Sequence, residues 1–142
     1  MRWVTNSFIT QGWFCADIIG SPGIEWYSEV RCHGSRGVES LHEGLHDTES
    51  AARRAVFEFT QSLTIELETA GDQGIWEKDR LVGADTLRVY VIQEKNKCVW
   101  AIGPTPQNSI ATGQAGSSEL AKEETIKYVR RLVAQLRILL HN

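Results

Sequence analysis

Residues 41–47 read Leu-His-Glu-Gly-Leu-His-Asp, and within them His42-Glu43-Gly44-Leu45-His46 satisfies the pattern H-E-x-x-H. In zinc peptidases that spacing sets two imidazoles one helical turn apart, with the glutamate activating the metal-bound water. The chemistry therefore needs a helix through positions 42–46. The next residues argue otherwise: Asp47-Thr48-Glu49-Ser50 is a helix-start signature with Thr48 as the natural N-cap. A helix beginning there leaves both histidines in the strand or turn before it. On a strand they lie about 13 Å apart along the backbone, too far to share an ion held at roughly 2 Å by each ligand. No third histidine follows at the spacing of the longer zinc-protease motif. The motif reads as coincidence, and the primary expectation is no metal, no cofactor and no catalytic residue. A zinc-dependent hydrolase with His42 and His46 as ligands and Glu43 as base is the alternative.

A second cluster is Arg31-Cys32-His33-Gly34-Ser35-Arg36-Gly37. Its glycines and guanidinium groups are of the kind that cradle phosphate or carboxylate. A nucleophilic cysteine beside a histidine is a further option, but adjacent strand residues point to opposite faces, so Cys32 and His33 would not pair. Five tryptophans in 142 residues are many. Trp13, Trp26 and Trp100 fall in β-prone runs and read as packing residues, whereas Trp3 and Trp76 fall in terminal and loop contexts that suit an interface or a ligand. Arg31, His33, Arg36 and Trp76 are therefore the candidate ligand-binding residues, for a small anionic or nucleotide-like molecule.

Two amphipathic helices must anchor these groups. The spacing of Ala52, Ala55, Val56, Phe59 and Leu63 predicts a helix from about Glu49 to Glu66. That of Val129, Leu132, Val133, Leu136, Leu139 and Leu140 predicts a second from Glu119 to about Leu140, capped by Ser117 or Ser118. Strand signals precede each helix. Residues 13–19 and 25–32 flank the turn Gly20-Ser21-Pro22-Gly23, and residues 86–93 and 98–103 flank Glu94-Lys95-Asn96-Lys97. Segments near Val38–Leu45 and Ser109–Thr112 each supply a third strand. Between the halves, residues 70–85 read as a long loop that packs on the body by Ile75, Trp76, Leu81 and Val82 or forms a short element. Aligning Leu41 with Ile110 also aligns Gly44 with Gly113, Thr48 with Ser117 and Ala52 with Ala121, an internal ββ(β)α duplication of about 1–69 and 85–142.

The C-terminal third carries a resemblance. Asn108, Ile110, Ala111, Thr112, Ser117, Ala121, Ile126 and Val129, with the hairpin before them, are similar to the small YegP-like ββα-repeat proteins: a short strand after an asparagine, a glycine-bearing turn and a serine-capped helix. The first half follows that pattern only in layout, its loop is longer, and the aromatic often found before the capping serine is absent. The resemblance implies tandem sheet-plus-helix packing and a dimer, and transfers no catalytic residue.

Composition bounds the rest. A net charge of −3 argues against broad phosphate-backbone contact, so nucleic acid is the last partner expected. Cys15, Cys32 and Cys98 form no C-x-x-C pair and read as reduced core thiols, and no run resembles a signal peptide or membrane span. The expectation is one cytoplasmic α+β domain spanning 1–142. It is a two-layer sandwich with an antiparallel sheet of about five to six strands and both helices on one face. Its function is expected to be non-enzymatic binding or regulation through contacts with another protein or a second copy. The small anionic ligand is the alternative ahead of the zinc hydrolase.

Overall fold

The computed structural model describes residues 8–11, 13–20, 23 and 25–141. Four antiparallel strands come first: β1 (Phe8–Gln11), β2 (Phe14–Ile19), β3 (Trp26–Gly34) and β4 (Gly37–His46), paired in chain order. Helix α1 (Glu49–Gln73) follows. A second antiparallel sheet, again in chain order, holds β5 (Trp76–Glu77), β6 (Arg80–Leu81), β7 (Arg88–Glu94), β8 (Lys97–Gly103) and β9 (Ala111–Ala115), and α2 (Ser118–His141) ends the chain. The α+β class with two helices is as expected, but the strands form two sheets where one was predicted. Among the described residues no helix is long and apolar enough to cross a membrane.

Local chemistry sets the helix ends. Thr48 is extended, and its hydroxyl accepts from the Ala51 N–H at 3.1 Å; Ser117 accepts from the Leu120 N–H at 3.2 Å. Helix α1 runs two turns past the predicted Glu66, because Leu67 and Ala70 continue its buried stripe. Gly74 stops it in the left-handed conformation, donating to the Ala70 carbonyl at 3.0 Å. Residues 70–85 thus begin with the last turn of α1 and continue into the β5–β6 hairpin, the short element that was the alternative to a loop. Strand β1 was not anticipated.

The helices bury matching positions. α1 hides Ala52, Val56, Thr60, Leu63, Thr64, Leu67 and Ala70; α2 hides Ala121, Thr125, Val129, Leu132, Val133, Leu136 and Leu139 at identical spacing. α1 packs on β2, β3 and β4, where Ala52 and Val56 meet Ala16, Ile18, Trp26 and Val30. α2 packs on β7, β8 and β9 and against α1, in the larger core around Leu87, Val89, Ile102, Leu132 and Leu136. Gly71 lets the helices approach closely: a Cβ there would stand 3.3 Å from Val129 Cγ1.

Candidate functional site

His42–His46 lies on β4, as the Thr48 cap required. His42 faces Val30 across the ladder and His46 faces Trp26, so both imidazoles point toward α1. They are occupied separately. His42 stacks on Phe59 with ring centroids 5.0 Å apart, while His46 Nε2 lies 2.8 Å from Ser28 Oγ. Glu43 points the other way and accepts from the Tyr27 hydroxyl at 2.9 Å. The two histidines therefore do not converge, and the would-be base is on the opposite face of the sheet. Among the described residues no group of three His, Cys, Asp or Glu side chains is placed to hold a metal.

His42 carries a pH dependence instead. Its Nε2 is buried without a hydrogen-bond partner among the described residues. Burial first, then the neighbouring His46, holds its pKa below the ordinary 6.5. The folded state thus favours neutral imidazole: this contribution to stability is full above pH 6.5 and is lost as pH falls through the depressed folded value. His42→Phe, which keeps the stack on Phe59, should flatten that part of a urea-denaturation pH profile. A profile with the same slope in both proteins would assign the acid sensitivity elsewhere.

The Arg31–Gly37 stretch is the end of β3, the two-residue turn Ser35-Arg36 and the start of β4. Arg31 is held by Asp17, by Glu29 at 3.1 Å, and by Cys15 Sγ at 3.3 Å. Cys32 is fully buried and its thiol is pushed up to about 11 by burial, which leaves no thiolate for nucleophilic work near neutrality. His33 is exposed, on the face opposite Cys32. The loop's N–H groups are already engaged: His33 donates to the Trp13 carbonyl at 2.9 Å, Ser35 to the Ser109 carbonyl at 2.8 Å, and Arg36 to Asn108 Oδ1 at 2.9 Å. A backbone cradle for an anion is therefore not free here. Trp76 stands apart from this loop, on β5, with Lys122 Nζ 5.5 Å from its ring centroid. With Ile126, Lys127 and Arg130 of α2 it lines an open groove of about 450 Å³. The four candidate ligand residues thus fall at two places. Of the remaining tryptophans, Trp26 and Trp100 are buried in strands as expected, Trp13 precedes β2 and packs on Tyr128, and Trp3 lies outside the described residues.

Another surface was missed. Alternation along β3 sends Trp26, Ser28, Val30 and Cys32 inward and Tyr27, Glu29 and Arg31 outward, onto a face that carries no helix among the described residues. The ladder aligns outward side chains into rows across the strands. Ile19, Tyr27 and Leu45 form one row, and Asp17, Glu29 and Glu43 the next. Leu45 is 65% exposed and Ile19 59%, more than any other large apolar side chain described. Tyr27 is fixed between them, its hydroxyl 2.8 Å from Glu29 and 2.9 Å from Glu43. Those two bonds, led by the one to Glu29, together with slight burial hold its pKa well above the ordinary value. The period-two pattern in residues 25–32 gave the direction of these side chains; that no described helix would lie over the face was not written in it.

Compared with protein-family models, with curated proteins and with solved structures, the chain matches none.

Proposed function

We propose that the protein is a non-enzymatic binding module that works by contact with another protein, through the outer face of its first sheet. One observation carries this reading: Leu45 and Ile19, 65% and 59% exposed, share a row with Tyr27 on a sheet face that carries no helix among the described residues. Scattered exposed aliphatics are ordinary on a soluble protein, whereas an aligned apolar row with a rigidly held tyrosine is the composition of a recognition surface. The buried thiols and diverging histidines favour binding over chemistry. Three free, buried cysteines suit a reducing compartment and support a cytoplasmic location. The matched burial of α1 and α2, with Thr48 and Ser117 as equivalent caps, supports two copies of one ββ(β)α unit and the YegP-like layout of the second.

A photo-crosslinking amino acid at position 45 should give a discrete heavier adduct in the host cell. The same group at Glu58, exposed on α1, should give none. Equal labelling, or none at either position, would count against the reading. A small anionic ligand is the second reading, favoured by Trp76 beside Lys122, Lys127 and Arg130 in a groove whose other charged lining is Glu119 and Glu123. A nucleotide-induced melting shift abolished by Lys122→Glu, with position 45 unlabelled, would put it first.

A further inference from the structure

Charge around the apolar row narrows the partner, on the premise that this face is the binding surface. The row Ile19–Tyr27–Leu45 is bordered on one side by Asp17, Glu29 and Glu43. Two further carboxylates, Glu25 and Asp47, both exposed, follow in the chain one residue beyond the pair Trp26 and His46 that ends the ladder. The apolar strip thus has an acidic row along one side and two further carboxylates just past the end of the ladder. Among the described residues, Arg31 is the one guanidinium paired with any of these five carboxylates. Arg31 is occupied by Asp17 and Glu29, whereas exposed Glu43 has the Tyr27 hydroxyl rather than a cation. From Phe14 to His46 the sole other Lys or Arg is Arg36, in the β3–β4 turn at the far end of the ladder.

We infer that the partner presents a basic segment: aliphatic side chains that seat on Ile19, Tyr27 and Leu45, flanked by Lys or Arg reaching Glu25, Glu43 and Asp47. Neighbouring strands lie about 4.8 Å apart, so Ile19 and Leu45, one strand apart on either side of Tyr27, offer anchor points separated by about 10 Å. The carboxylates repel anionic lipid and nucleic-acid backbones. They add on-rate and selectivity for a cationic protein segment, while the apolar strip supplies the buried area.

The test is selection of a random peptide display library on the folded full-length chain. Enriched peptides should pair Lys or Arg with Ile, Leu or Val, and their affinity should fall about tenfold or more as salt rises from about 50 to about 500 mM. Glu43→Lys and Leu45→Asp should each remove binding; both positions are exposed, and far-UV circular dichroism checks that the variants fold. Enriched peptides without basic residues, or ones that bind both variants unchanged, overturn the inference. If those peptides are lost instead in Lys122→Glu, the protein-binding reading stands and only this face and its basic partner fall. No enrichment, with a dimer that Leu45→Asp dissociates, would make a second copy the occupant and overturn the basic partner. No enrichment with a monomer overturns both readings.

Discussion

Asn108→Ala is expected to lower the thermal midpoint by roughly 10 °C, corresponding to about 2–3 kcal/mol. Asn108 is 5% exposed, and its amide joins the two halves of the chain. Oδ1 accepts from the Arg36 N–H at 2.9 Å and Nδ2 donates to the Gly37 carbonyl at 3.2 Å, so a loop between β8 and β9 closes the β3–β4 turn. Ser35 and Ser109 add a backbone bond of 2.8 Å beside it. Gly34 makes the fit possible, because a Cβ there would stand 1.9 Å from Oδ1. Alanine leaves the N–H and carbonyl without those partners and opens a gap over Gly34; water reaches the exposed turn and moderates the cost. Asn108→Asp retains the acceptor, loses the donor and should fall between. Circular dichroism melts decide it, and a midpoint within about 2 °C of the parent would mean that this amide does not hold the junction.

Gly113→Ala should cost about 2–3 kcal/mol through overpacking. Gly113 faces Trp100 across the ladder, and a Cβ there would lie 2.5 Å from the indole Nε1 and Cε2. The indole cannot retreat freely. It is 7% exposed, donates from Nε1 to Glu124 on α2 at 2.8 Å, and packs 5.6 Å from the Tyr128 ring, itself 5.3 Å from Trp13. Displacing it disturbs the seam between α2 and the second sheet as well as the β8–β9 pair. Trp100→Leu on the Gly113→Ala background should recover part of the loss, since the smaller side chain clears the new methyl. A denaturant double-mutant cycle reads that coupling; additive losses would show that the close approach is relieved without strain.

The fold was legible where local pattern decides. The apolar periods and the Thr48 and Ser117 caps placed both helix starts, and the Gly-Ser-Pro-Gly and Glu-Lys-Asn-Lys turns placed two hairpins. Pairing was not local. Nothing in residues 88–115 says that their strands avoid those of 14–46, so two sheets read as one. The predicted α1 stopped at Glu66 because the stripe it was read from ended at Leu63, whereas Leu67 and Ala70 belong to a stripe completed by α2. Arg31 looked available because its partners depend on register: Asp17 comes from β2, which the sequence does not align. Asn108 entered only as the asparagine before a short strand, yet its bonds reach across about seventy residues to another hairpin. The face proposed for binding needed two facts, the outward direction of Tyr27 and the lack of a covering helix among the described residues, and only the first is periodic.

The most direct measurement is the unfolding free energy of the double variant Ile19→Thr/Leu45→Thr, which keeps strand propensity and removes the exposed apolar row. If that row stands open for a partner, the isolated chain should lose less than about 1 kcal/mol, as for substitutions away from a packed core. A loss of about 3 kcal/mol or more, of the kind that follows truncation of buried aliphatics, would contradict this: the row would then belong to the packing of the fold.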